Sequence, residues 1–567
     1  MRSPQRYFLV MLLLSTTSVG REEPVKASRV EQVRTILPEF DRLAEATLKK
    51  TGVPGLAVAI VCDDQVLHLK GFGIRQVDGS EPVDADTVFQ LASVSKPITS
   101  TILASQVGKQ GLNWDDRVID LDPAFRLFDP LATRELTLRD LLCHRSGLPD
   151  HAGDLLEDLG YGRTEVLHRL RFLKQANPFR ARYAYTNFGY TEGAVATAKT
   201  AGVEWEELAD TVLFKPLGMS SSSFRHKDYV SAKNRAHLHV RAGERWEARH
   251  DRQPDAQAPA GGACSTARDM AQWVRLQLGS GTFEGKTLIA PGALAETHRP
   301  QIVSRQASDP AKDHAGFYGL GWNVEYDETG KVRLSHSGAV DQGAATVVML
   351  WPADRLGIVV LSNGSPIGVP ESLGASFYNL VSVGKVEKDW LAFFQPYFAT
   401  LAGPPRSSST IPVDPALKRP HLAQASYLGT YQNAYYGPLE VVAQNDGLQL
   451  RLGPTRRAYP MRHLDGDAFV YQPVGEMAGG PSRVDFRLGP GQKATQVVLE
   501  DLDVHGQERL HANPPNLENQ RGADCPSRRA SWLHPSARPL SCFKSQFMIP
   551  GQRSWPRRSR NRGRWSG

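Results

Sequence analysis

Residues 403–410 read Gly-Pro-Pro-Arg-Ser-Ser-Ser-Thr, and this stretch constrains the fold more than any other. Paired prolines neither continue a helix nor donate to a sheet, and the serines after them favour water, so the segment should run extended and solvated. It divides the chain into a long part of mixed pattern and a shorter part of alternating pattern. A chain of 567 residues exceeds what one hydrophobic core supports, and 41% hydrophobic with 22% charged residues is an ordinary globular composition, so both parts read as folded domains.

In the long part, Glu31 to Lys50 reads as a helix, and Gly55 to Cys62 with Val66 to Phe72 reads as a hairpin turning at Asp63-Asp64. Strand-like runs at Val332 to Ser335, Ala344 to Leu350 and Leu356 to Leu361 should complete the same antiparallel sheet, with helices from between about Leu136 and Leu278 beside it. In the short part, Gly429-Thr430-Tyr431, Leu439 to Val442, the turn Asn445-Asp446-Gly447 and the alternating Leu448, Leu450 and Leu452 read as short antiparallel strands. Phe469-Val470-Tyr471, Val484-Asp485-Phe486 and Val497-Val498-Leu499 continue the pattern, which predicts a small β-barrel or sandwich. The expected fold class is α+β, an antiparallel sheet flanked by helices plus a helical lobe, followed by a small all-β domain.

Three short motifs in the long part describe an activated serine: Ser93-Val94-Ser95-Lys96, Tyr185-Thr186-Asn187 and His336-Ser337-Gly338. A serine hydroxyl is a weak nucleophile at neutral pH and needs a base for its proton and donors for the oxyanion that forms. The S-x-x-K spacing also occurs at Ser382 with Lys385 and at Ser541 with Lys544, but only Ser93 is followed by a Y-x-N and an H-S-G. Thr87 to Gln90 looks extended and Ala92 to Gln106 helical, so Ser93 falls in a first turn with Lys96 on the same face. Pro97 is tolerated that early because its missing N–H has no partner there anyway. The positive end of the helix disfavours an ammonium and favours a developing anion, which suits a lysine acting as a base.

The chain resembles the family of serine β-lactamases and penicillin-binding proteins, in the branch of class C β-lactamases, D,D-peptidases, D-aminopeptidases and esterases. The likeness spans about residues 30 to 400 and includes Leu141-Leu142-Cys143-His144-Arg145-Ser146-Gly147-Leu148-Pro149, similar to an "LLxHxSGLP" stretch. Pro259-Ala260-Gly261-Gly262 with Ser265, Thr266 and Asp269, and Val359-Val360-Leu361-Ser362-Asn363, match further family segments. The resemblance implies acylation and deacylation. Ser93 attacks a carbonyl, Lys96 and Tyr185 share the proton, the tyrosine as a phenolate-like base or relay, and Asn187 orients the substrate amide and Lys96. It also implies an oxyanion hole from the N–H groups of Ser93 and Ala339, with His336 and Ser337 lining the opposite wall beside Gly338. No S-D-N occurs, and the one K-T-G, Lys50-Thr51-Gly52, precedes Ser93, which argues against the class A branch. The short part resembles the lipocalin-like module of some members, with a stabilising or oligomerising role expected ahead of ligand binding.

The common β-lactamase pattern has a lysine where this chain has His336. A histidine of ordinary pKa near 6.5 is mostly neutral at pH 7, so capture of a substrate carboxylate should weaken, and amide, peptide or ester hydrolysis is expected ahead of β-lactam hydrolysis. The alternative is a penicillin- or peptidoglycan-binding sensor that acylates without turnover. His144 and Cys143 are read as structural. There is no G-x-S-x-G, no H-E-x-x-H, no Walker A lysine and no dinucleotide fingerprint, and His237-Leu238-His239 reads as a strand with solvated histidines, so neither metal nor cofactor is expected.

Arg2 and Arg6 precede the apolar Tyr7 to Leu14 and a run of small residues to Gly20, the pattern of a signal peptide cleaved near Gly20, too short to span a membrane. Without a cysteine near that site no lipoprotein anchor is expected, and the enzyme is read as periplasmic or secreted. Of five cysteines, Cys62, Cys143 and Cys264 look isolated, while Cys525 and Cys542 are placed to pair in the tail. From Arg521 onward ten arginines and one lysine stand against Asp524 alone, so the net charge of +7 belongs to the tail and the preceding residues are mildly acidic. Clustered arginines attract phosphate, but this segment has no periodic apolar face and reads as a disordered appendage, with no nucleic-acid partner expected. The expected division is signal peptide 1–20, hydrolase domain 30–400, linker 403–415, β-domain 420–512 and basic tail 516–567, acting on a small-molecule or peptide substrate, with peptidoglycan as a further candidate partner.

Overall fold

The computed structural model describes residues 28–109, 111–402, 418–445, 447–503 and 510–512. The expected signal peptide, linker, Ser541, Lys544, Cys525, Cys542 and basic tail lie outside the described residues.

Helix α1 (Arg29–Thr51) begins where the Ser28 hydroxyl accepts from the Glu31 N–H and ends at Gly52, whose φ of 69° suits a residue without a Cβ. Strands β1 (Gly55–Cys62) and β2 (Gln65–Gly73) form the hairpin, and the strands that close the sheet come from much later: β3 (Ile302–Arg305), β4 (Gly316–Tyr318), β5 (Asn323–Tyr326), β6 (Val332–Val340), β7 (Ala344–Trp351) and β8 (Leu356–Ser362). Their order is β2-β1-β8-β7-β6-β5-β4-β3, antiparallel throughout. β1, β7 and β8 are buried along their whole length, because helices cover both faces. The face bearing Ala57, Val348 and Leu361 packs against α2 (Ser95–Val107) and α5 (Ala267–Leu278). The face bearing Val58, Val347 and Val360 packs against α1 and α6 (Val369–Val383).

α2 is buried on almost all sides although it carries several hydroxyls. Those hydroxyls turn onto carbonyls: Thr101 donates to the Pro97 carbonyl and Thr99 to that of Pro259, both at 2.7 Å, so little polarity is left unpaired in the core. Between sheet and barrel lies the helical lobe, including α3 (Asp154–Asp158) and α4 (Asn187–Thr200).

The C-terminal part is a closed eight-stranded barrel: β9 (Gly429–Asn433), β10 (Gly437–Gln444), β11 (Gly447–Leu452), β12 (Arg457–Asp465), β13 (Ala468–Tyr471), β14 (Ser482–Leu488), β15 (Ala494–Leu499) and β16 (Leu510–Ala512), with β16 pairing β9. Closure removes the exposed edges a short open sheet would present. Its core of Tyr427, Tyr431, Leu450, Phe469 and Val497 is continuous with Leu156, Leu159 and Tyr161 of the helical lobe. The barrel is therefore fused to the lobe by a shared core.

His239 corrects one expectation: it is fully buried. Its Nε2 accepts from the Val77 N–H at 3.1 Å and its Nδ1–H donates to the Asn363 carbonyl at 2.9 Å, so it ties three distant segments together.

Candidate active site

Ser93 lies in a single 3-10 turn, Ala92–Val94, that runs into α2. Ala92 holds a left-handed φ of 49°, costly for a residue with a Cβ, and is pinned by its surroundings. The Leu91 N–H donates to the Ala263 carbonyl at 2.8 Å, and the Leu91 carbonyl accepts from Thr346 of β7 at 2.7 Å. Gly338 of β6 faces this turn so closely that a Cβ would collide with the Leu91 carbonyl and the Thr346 hydroxyl.

Around Ser93 the first two motifs converge. The Tyr185 hydroxyl donates to Ser93 Oγ at 2.7 Å, and Lys96 Nζ lies 3.3 Å from the same oxygen. Lys96 is fully buried, and Nζ donates to Asn187 Oδ1 at 2.7 Å and to the Ala260 carbonyl at 2.9 Å, lying 4.4 Å above the Tyr185 ring. Burial drives its pKa well below the ordinary lysine value against the opposing charge of Asp154. A neutral amine has two hydrogens, which the Asn187 and Ala260 oxygens take up, and one lone pair, which is left for the Ser93 hydroxyl. Burial also pushes the Tyr185 phenol far above its ordinary pKa, so the resting side chain is a proton donor to Ser93. Of the two roles expected for the tyrosine, base or relay, this contact suits the relay.

A sequence model of the Beta-lactamase family matches residues 40–379, well over half of the chain. The chain belongs to the Beta-lactamase family. A second model, described only as a domain of unknown function, DUF3471, matches residues 414–513 and so coincides with the barrel. Among curated proteins, the unguisins hydrolase ungD of Aspergillus violaceofuscus is 26% identical over 484 residues, covering 76% of this chain and 82% of that one. Penicillin-binding protein 4 of Amycolatopsis lactamdurans is 27% identical over 321 residues, covering 55% and 81%. The structure of the octameric penicillin-binding protein homologue from Pyrococcus abyssi superposes with a TM-score of 0.53 at 21% identity, covering 84% of this chain and 99% of that one, which is a likeness of fold.

The third motif of this Beta-lactamase family member is split by the pleat of β6. His336, paired with Val348, faces the α2 side, whereas Ser337, paired with Val347, faces α6. Ser337 therefore does not line the wall opposite Ser93, a correction to the sequence reading. His336 is buried, its Nδ1–H donating to the Ser337 carbonyl at 2.8 Å and its Nε2 accepting from Tyr318 at 2.9 Å. Burial, followed by the nearby Lys96, lowers its pKa to about 3, so it is neutral. Ala339 continues the strand beside the Ser93 turn, opposite Ala345.

A second layer escaped the sequence reading. Asn187 Nδ2 donates to Asp154 at 2.9 Å, and His151 donates to the same carboxylate oxygen at 2.7 Å. Burial opposes a charge on His151, but the hydrogen bond and charge of Asp154 outweigh it and raise its pKa. His144 is structural, as expected: its Nδ1 accepts from the Thr186 N–H at 3.2 Å and its ring lies 4.5 Å from that of Tyr185. The hydroxyl of Ser382, the other S-x-x-K serine among the described residues, bonds the Tyr378 carbonyl on the exposed end of α6.

Proposed function

We propose that this chain is a serine hydrolase that works through a Ser93 acyl-enzyme on amide, peptide or ester bonds of small-molecule or peptide substrates. The observation that carries the reading is the pair of contacts on Ser93 Oγ, a phenol at 2.7 Å and a buried lysine amine at 3.3 Å. The amine of Lys96, in its neutral form, takes the Ser93 proton as the oxygen attacks, and the Tyr185 hydroxyl, already on that oxygen, passes a proton to the leaving group. The proton held by Lys96 returns to the phenol, so neither side chain ends the step ionised. The Ser93 and Ala339 N–H groups receive the oxyanion, a role favoured by the close approach of Gly338 to the Ser93 turn. Asn187 holds the amine and meets the substrate amide. His336, neutral and engaged at both nitrogens, provides no cation for a carboxylate, which favours neutral amides and esters over β-lactams.

Export through an N-terminal signal is part of this proposal; among the described residues no helix is long and apolar enough to cross a membrane. Similarity to a protein named penicillin-binding protein favours one second reading, a sensor that traps the acyl group. Intact-protein mass spectrometry of the wild type and Ser93→Ala, each mixed with a fluorescent penicillin, p-nitrophenyl butyrate or a D-Ala-D-Ala peptide, separates the two. A Ser93-dependent adduct that decays is the expected result. A lasting adduct supports the sensor, and turnover by Ser93→Ala overturns both.

A further inference from the structure

The barrel sends one loop, residues 472–481 between β13 and β14, onto the helical lobe. Short helix α3 carries a carboxylate at each end. At its C-terminal end, Asp158 accepts the N–H groups of Glu476 and Met477, both at 2.8 Å. Gly475, at φ 135°, lies so near that any Cβ would collide with the Asp158 carboxylate. At the other end of the same helix, Asp154 holds Asn187, which in turn holds Lys96.

A second route runs from the same loop to the same lysine. Arg252, only 6% exposed, donates from Nε to the Glu476 carboxylate at 2.7 Å and from Nη1 to the Gly261 carbonyl at 2.8 Å. The neighbouring carbonyl, that of Ala260, is the one that accepts from Lys96 Nζ. The Arg252 carbonyl accepts from Gln90, three residues before Ser93, at 2.9 Å. Arg252 thus fixes the turn that aims the lysine, and its own charge is balanced from the barrel by Glu476 and from the lobe by Glu157 and Asp154.

We propose that Glu476 of the barrel and Arg252 of the hydrolase part are a positioning pair for the Lys96 amine, so that the barrel completes the active site as well as stabilising it. The inference rests on the reading of Lys96 as the base. Neither residue touches substrate. The pair orients the Ala260 carbonyl and offsets the action of a buried guanidinium on the amine. The other titratable groups around Lys96 and Arg252 are His144, His151, Asp154, Glu157, Tyr185, Tyr190 and His336, and of these Glu157 and Asp154 also oppose the Arg252 charge.

The test uses the full chain, with kcat and KM for p-nitrophenyl butyrate measured across pH together with Tm. Glu476→Gln removes the largest charge opposing Arg252 and leaves only Glu157 and Asp154, which lowers the Lys96 pKa further and moves the acid limb of kcat/KM to lower pH. Arg252→Met leaves Glu476 unopposed and moves that limb to higher pH. Each should lower kcat by about 10- to 100-fold with KM little changed, the expected size for misplacing a catalytic group. The double variant Arg252→Met/Glu476→Leu should return the limb to its wild-type position. Single variants that lower Tm while leaving limb and kcat unchanged would overturn the proposal. If Arg252→Met does not fold, Glu476→Gln decides alone, and an unmoved limb overturns it. Lys96→Met in the same assay stands apart: full activity there removes the base assignment itself, whatever the pair does.

Discussion

The barrel and the hydrolase part bury polar groups in opposite ways. In the barrel several buried polar atoms are phenol hydroxyls with a partner: Tyr431 donates to the Tyr427 carbonyl at 2.8 Å, Tyr436 to that of Leu502 at 3.0 Å, and Tyr427 to Asp467 at 2.6 Å. Around Ser93 the buried groups are ionisable. Lys96 is driven toward its neutral form, Glu157 is raised by burial to about 8, and His336 is lowered to about 3. Burying a phenol with a partner costs little and adds apolar area, whereas burying an ionisable group shifts its proton equilibrium at the expense of stability. The interior of the barrel is built for packing, the surroundings of Ser93 for chemistry.

Substitutions in each region should separate these designs. The largest effect is expected from Ser93→Ala, which should abolish acylation, followed by intact mass, while leaving Tm unchanged. Next comes Lys96→Met, which keeps the shape of the stem and should lower kcat by at least about 10³-fold. It should also be more stable than the wild type at neutral pH. Burial disfavours the charged amine in the folded state, whereas the unfolded chain carries it charged below its ordinary pKa. Its cost is therefore greatest at and below the lowered folded pKa, shrinks as pH rises above it, and is gone above the ordinary value near 10.4. A Tm gap that does not narrow with rising pH would contradict the lowered pKa.

Tyr185→Phe keeps the ring against Lys96 and removes only the hydroxyl on Ser93, so acylation should slow by roughly 10²-fold at nearly constant Tm, measured by stopped-flow release of p-nitrophenol. The smallest effect on chemistry is expected in the barrel. Leu450→Ala, at a fully buried position, should cost about 2–5 kcal/mol in denaturant unfolding yet leave kcat per folded molecule unchanged, because it lies in the packed interior and outside the loop that reaches Asp158. A fall in kcat would show that packing and chemistry are coupled through the barrel core itself.

Much of this was legible in the sequence because its signals are local. The S-x-x-K spacing places a lysine one helical turn after a serine in any helix, and the alternation of Leu448, Leu450 and Leu452 means a strand in any barrel. Strand β12 was missed because Pro460 and its many charged residues hide the alternation. Ser337 was placed on the wrong face because the pleat phase of β6 is set by its pairing with β7, and short motifs do not encode which face a helix will cover.

The sequence by itself determined the identity and order of the proposed site residues, Ser93, Lys96, Tyr185 and Asn187, and the succession of a mixed domain by an all-β one, since these depend on residue type and short-range geometry. Only the tertiary structure decided how the lysine is tuned. Asp154, His151, Arg252 and Glu476 come from separate segments with no fixed spacing, and whether a carboxylate or guanidinium acts on an amine depends on distance and on the water excluded between them, both of which arise when the lobe and the barrel close over the same core.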